Sequence, residues 1–177
     1  MSLEEIAQAL HRAQKVLSRK PELGIHDDAP ATARWTGGVR VIASHANGSS
    51  MQTDMPAELG GTGDQVTPGW LFRAGLASCT ATRIAMGAAA QGIELSALEV
   101  KASSRSDTRG LLGMPDGAGK PVCAGPSDVQ MHVRIAAPGV SPQRLRALVE
   151  ESQRCSPVPT AVQNALPVAL HIDVAEA

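Results

Sequence analysis

Residues 68–91, PGWLFRAGLASCTATRIAMGAAAQ, constrain the fold more than any other part of the chain. Thr67 and Pro68 open the run and Gly92 follows it. A threonine hydroxyl satisfies a free N–H at a helix start, proline suits the first helical position, and glycine suits the position just past the end. This predicts one helix of about 24 residues, roughly 36 Å long at 1.5 Å per residue. Leu71, Gly75, Cys79, Thr82, Met86 and Ala90 share one face, while Phe72, Leu76, Ile84 and Ala88 lie on others. A helix that is apolar nearly all round belongs at the centre of a fold. In a chain of 177 residues, part of that centre is expected to come from a second subunit. Arg73, Arg83 and Gln91 interrupt the run, which argues against a membrane span.

The other segments predict what surrounds this helix. Ser2 and Glu5 have the spacing of a capping box, and Leu3, Ile6, Leu10, Ala13 and Leu17 fall on one face of an amphipathic helix ended by Lys20-Pro21. Gly37-Gly38 and the hairpin signal Asn47-Gly48 divide three strands near 31–36, 39–45 and 50–55. After the long helix come strands near 96–105 and 128–137, the second with alternating Val129, Met131, Val133 and Ile135. A Gly- and Pro-rich loop joins them. Ser141-Pro142 and Ser156-Pro157 each open a helix, and PVALHIDV reads as a closing strand. The expected class is α+β with mostly antiparallel strands. Residues 1–30 form a helical extension and loop, and 31–177 the main domain.

Several function classes are poorly supplied. Net charge is −1 and no basic run tracks phosphates, which argues against nucleic acid. Trp35, Trp70 and Phe72 are the whole aromatic set, too few for base stacking. Gly60-Gly61-Thr62-Gly63 lacks the Lys-Ser/Thr of a phosphate-binding loop, so a conformational role is expected. The five histidines show no metal-ligand spacing, and no metal or organic cofactor is expected. The three cysteines form no secreted disulfide pattern, and residues 1–12 have no signal-peptide core, so a reducing cytoplasm is the expected compartment.

The cysteines carry the remaining chemistry. Cys79 admits two readings: a small hydrophobe filling the core, or a reactive thiol on a rigid element. Arg83, at i+4, is placed to reach the thiol's side of the helix and favour a thiolate. Cys155 follows Arg154 and precedes Ser156-Pro157, just outside a helix N-terminus whose partial positive charge favours a thiolate. Cys123, among glycines and prolines, is expected to be incidental.

MPAELGGTG, TPGWLFRAGLASCTATRIA with its cysteine eleven residues after the proline, DTRGLLG and the Cys155-Ser-Pro-Val segment resemble the OsmC/Ohr family, the osmotically inducible and organic-hydroperoxide-resistance proteins. The similarity runs from about Ala31 to Val174. The resemblance implies an intertwined homodimer with a long central helix from each subunit and active sites at the interface. It implies reduction of peroxides, preferably organic ones: Cys79 attacks the O–O bond and becomes a sulfenic acid, Cys155 condenses with it to a disulfide, and a dithiol resets the pair. A family arginine near the thiolate corresponds to Arg40 with a one-residue shift, because Val39 follows Gly37-Gly38; Arg34 is a second candidate. The family glutamate after the helix-opening proline is Gly69 here, and the second cysteine is followed by Ser-Pro instead of Pro alone. These departures keep two rivals in view on the same fold: a non-catalytic binder of a small apolar ligand, and a redox sensor.

Overall fold

The 68–91 segment folds as a single helix, α2 (Pro68–Ala90), in a computed structural model that describes residues 1–175; the last two residues of the expected domain lie outside it. The Thr67 hydroxyl accepts the Trp70 N–H at 3.2 Å, and Pro68 occupies the first turn. At the other end Gly92 turns left-handed (φ 65°), which lets the Ile93 N–H reach the Ala88 carbonyl at 2.9 Å. Ile93 is thereby folded back into the core.

The strands form two separate antiparallel sheets, of which the second packs on this helix. The first runs β1 (Thr32–Gly37), β2 (Arg40–Ser44) and β3 (Ser50–Thr53), in that order. The second pairs β4 (Ala97–Arg105) with β5 (Ser127–Ala136). The mixed α+β class expected from the sequence is the one observed. Between β4 and β5 lies the Gly- and Pro-rich loop, with a single turn of helix, α3 (Thr108–Leu111). Cys123 lies exposed in this loop.

Helix α4 (Pro142–Arg154) crosses α2 and faces the second sheet. Ile84, Ala88, Ile93, Leu145 and Leu148 form the buried core, with Leu98, Val100, Val133 and Ile135 packed against it from the strands. Burying a side chain of this size contributes about 1.5–3 kcal/mol. Close approach of the two helices depends on Gly87, where a Cβ would lie 2.9 Å from Leu148 Cδ1. Helix α5 (Pro157–Gln163) follows α4 after two residues and rests on α2. At the N-terminus, α1 (Leu3–Leu17) begins with the predicted capping box, in which the Ser2 N–H donates to Glu5 at 2.6 Å. This helix lies along the C-terminal half of α2, so the extension joins the helical layer.

Two parts of the chain have little cover. Among the described residues the first sheet makes no extensive packing with any helix, and Trp35 and Met51 stay 68% and 43% exposed. The expected closing strand is also unpaired: 164–175 runs without regular structure, with Leu166, Val168, Leu170, Ile172 and Val174 all exposed. The alternating pattern is present, but a strand needs a neighbouring edge for its N–H and C=O groups, and among the described residues none pairs with that segment. Among the described residues no helix is long and apolar enough to cross a membrane.

Candidate active site

Cys79 lies at the middle of α2, and its neighbour Thr80 sets what faces it. Thr80 is fully buried; its hydroxyl donates to Gln153 Oε1 of α4 at 3.3 Å and touches Met131 Sδ of β5 at 3.7 Å. With the close crossing at Gly87, these contacts fix where the end of α4 meets α2. The turn from α4 into α5 therefore lands on Cys79.

The residue that meets the sulfur there is Ser156. Its hydroxyl donates to Cys79 Sγ at 3.2 Å, and the Val158 backbone N–H donates to the same sulfur at 3.5 Å. Ser156 is fully buried, whereas Cys79 is half-buried. Gly75, one turn earlier on α2, leaves room for Val158, whose Cγ1 lies 4.0 Å from where a Cβ would stand.

Cys155 is placed differently. It caps the C-terminus of α4, with its N–H on the Ser152 carbonyl at 3.2 Å, and its side chain is exposed. It lines a surface hollow with Arg154, Pro157, Thr160 and Asn164. All three cysteines are free thiols.

Arg40 joins a second cluster. Its Nη2 donates to Asp64 at 2.6 Å, Thr62 at 2.8 Å and Asp54 at 3.2 Å, so its hydrogen bonds run to the Gly-rich loop and not to Cys79. Asp54 is 2% exposed yet accepts from four groups. The Thr62 N–H and hydroxyl, then the Met55 N–H and Arg40, hold its carboxyl far below the ordinary carboxylate range against the opposing effect of burial. The loop closes so tightly that a Cβ on Gly61 would lie 1.7 Å from the Met55 carbonyl oxygen. Arg34 is exposed on β1, opposite Ile42.

The two arginines of α2 also point elsewhere. Arg83 extends toward Gly87, with Nη1 3.4 Å from a Cβ built there, and lines the groove between α1, α2 and α4. Its expected approach to the thiol's side of the helix is thus replaced by one toward the C-terminal end. Arg73 reaches Ser104 Oγ at 3.5 Å and fills the space beside Gly69.

A cavity of about 460 Å³ opens at the first turn of α2, between the Gly-rich loop and α3. Met55, Leu59, Phe72 and Leu111 supply apolar wall; Arg73 and Asp107 supply charge. Arg109 holds the Asp107 carboxyl below its ordinary range through its side chain and then its backbone N–H. Phe72, expected on another face, lies seven residues before Cys79, which is two helical turns away and within about 20° of the same face. The network of Arg40, Asp54, Thr62 and Asp64 braces the wall that Met55 and Leu59 form.

Sequence reasoning missed Ser156, although a signal for it was present. Ser156 is followed by Pro157 and stands at the N-cap of α5, a position that favours serine.

Comparison with known proteins agrees with this architecture. The chain matches an organic hydroperoxide resistance protein OsmC from Legionella pneumophila with a TM-score of 0.56 and 22% identity, over 78% of this chain and 91% of that one. An OsmC-like protein from Mycoplasma pneumoniae matches with a TM-score of 0.64 and 17% identity, over 78% and 89%. An organic hydroperoxide resistance protein from Elizabethkingia anophelis matches with a TM-score of 0.56 and 21% identity, over 78% and 90%. No curated protein matches the sequence. The family described as OsmC-like protein matches residues 61–171, the stretch that holds the Gly-rich loop, α2 and the turn bearing Ser156. The chain belongs to the OsmC-like protein family.

Proposed function

We propose that this protein reduces organic hydroperoxides at Cys79 and works as a homodimer. The observation that carries the reading is the convergence of the Ser156 hydroxyl and the Val158 N–H on the Cys79 sulfur. A core-filling thiol needs no donors; a nucleophilic sulfur that passes through an anionic state does. Membership of the OsmC-like family and the hydroperoxide-resistance names of similar structures support the same chemistry.

In the reaction the Cys79 thiolate attacks one peroxide oxygen as the O–O bond breaks. Sulfur is oxidised to the sulfenic acid, the peroxide is reduced, and the alkoxide leaves as the alcohol after taking a proton. The apolar wall of Met55, Leu59 and Phe72 suits the organic group of the substrate. Arg40 acts as a positioning residue that holds the loop bearing Met55 and Leu59. A thiol reductant then returns Cys79 to its starting state.

Dimerisation accounts for the surfaces this chain leaves bare. Trp35 and Met51 on the first sheet, and the alternating Leu166, Val168, Leu170, Ile172 and Val174, are covered when a second copy packs on them.

The test is peroxide consumption by the reduced full-length protein, with tert-butyl hydroperoxide and hydrogen peroxide compared and dithiothreitol as recycling reductant. Wild type is expected to turn over, faster with the organic peroxide, and Cys79→Ser to fall to the uncatalysed rate. Equal rates for wild type and Cys79→Ser would remove the enzymatic reading and favour a binder.

A further inference from the structure

The turn between α4 and α5 decides which group meets the oxidised sulfur. Ser156 has extended backbone (φ −94°, ψ 111°), the conformation Pro157 imposes on it. Across the turn Cys155 is exposed, while Ser156 is buried with its hydroxyl on Cys79. The turn is held at both ends. The Ser156 N–H donates to the Gln153 carbonyl at 3.2 Å, and its own carbonyl accepts the Thr160 N–H at 3.1 Å. Leu148 and Ser152 anchor α4 on one side, and the buried Pro159 anchors α5 on the other. A disulfide needs a sulfur–sulfur distance of about 2.0 Å with both Cβ atoms turned toward each other. The position against the Cys79 sulfur is held by Ser156, and Cys155 lines a surface hollow that does not include Cys79.

We infer that Cys79, once oxidised, is resolved by a small thiol from outside the chain and not by Cys155, with Ser156 as the catalytic hydroxyl at the sulfur. This rests on the reading that Cys79 reduces hydroperoxides. The thiol's sulfur attacks the sulfenic sulfur, the S–O bond breaks, and the hydroxide leaves as water with the thiol's proton. Cys79 is left in a mixed disulfide. A second thiol attacks the outer sulfur of that bond, releasing the low-molecular-weight disulfide and the Cys79 thiol. Two thiols are oxidised for each peroxide reduced to alcohol and water, so the electrons balance. The partially open position of Cys79, beside the exposed Ser78 and Val158, leaves the sulfur within reach of a small thiol.

The experiment uses reduced full-length protein freed of small thiols, one equivalent of tert-butyl hydroperoxide, and glutathione as the probe thiol. Intact mass and peptide mapping are read for wild type, Cys155→Ser and Ser156→Cys. Without glutathione, wild type and Cys155→Ser are both expected to gain one oxygen on the Cys79 peptide, trapped by dimedone. With glutathione, both are expected to gain one glutathionyl group there and to turn over at the same rate. Ser156→Cys is expected to lose two hydrogens instead, through a disulfide from Cys79 to the substituted position. A loss of two hydrogens in wild type that disappears in Cys155→Ser overturns the inference, as does a disulfide joining two chains. Cys79 left unoxidised in every arm is a different failure, because it removes the peroxidase reading itself.

Discussion

The Ser156 hydroxyl lies 3.2 Å from the Cys79 sulfur, although 77 positions separate the two residues. Neither residue is tied to the other by sequence; α2, α4 and their crossing at Gly87 bring them together. The thiol of Cys79 is therefore met by a hydroxyl, whereas the family resemblance implies a second thiol, Cys155, as its partner.

Removing that hydroxyl tests its part in the chemistry. A hydrogen bond to a charged group contributes about 1.5–3 kcal/mol, so Ser156→Ala is expected to slow Cys79 alkylation at fixed pH by roughly ten- to a hundredfold. Ser156→Thr keeps a hydroxyl and is expected to restore much of the rate. Alkylation kinetics with iodoacetamide, alongside the melting temperature of each variant, give the answer. A lower melting temperature with unchanged alkylation would make Ser156 a purely structural residue.

The Gly-rich loop has its own steric test. A Cβ at position 61 would stand 1.7 Å from a backbone oxygen, which cannot move without opening the loop. Gly61→Ala is expected to destabilise the fold by about 1–3 kcal/mol, as overpacked sites do, and to raise KM for the organic peroxide as Met55 and Leu59 shift. Urea unfolding and steady-state kinetics measure the two effects.

The same loop predicts a pH dependence. The Asp54 carboxyl is held below its ordinary range by the Thr62 N–H and hydroxyl first, with Met55 and Arg40 adding to them. A carboxylate depressed in the folded state contributes stability above its unfolded value, about pH 3.9, and that contribution fades as pH falls through the folded one. Wild type is expected to exceed Asp54→Asn in stability at neutral pH, with the difference shrinking below about pH 4. Denaturant titrations of both proteins across the acid range would show it, and a constant difference would contradict it.

Dimerisation is tested through the uncovered tail. Wild type is expected to sediment at twice the 18.3 kDa chain mass. Leu170→Asp puts a charge into the alternating apolar run and is expected to shift the protein toward the monomer. Sedimentation of wild type at the single-chain mass at every concentration would exclude the dimer.

The features legible in the sequence are those that local chemistry controls. Thr67, Pro68 and Gly92 act on their own turns of backbone, so α2 was readable at both ends. Ser2 and Glu5 cap α1 across one turn, and Asn47-Gly48 turns one strand into the next. The alternation of Met131, Val133 and Ile135 marked the inward face of β5. Cys79 was visible as a thiol on a central helix, and the quoted loop and helix motifs pointed to the family.

Tertiary structure decided which atoms meet. The turn between α4 and α5 places the Ser156 hydroxyl on Cys79 and leaves Cys155 exposed. Arg40 found its partners in Asp54, Thr62 and Asp64, drawn together by loop closure over more than ten positions of sequence. The tail carries a strand pattern without a strand, because a ladder requires a neighbouring edge. Sequence determined the elements and the reactive group; the packing of α2 against α4 chose that group's partner.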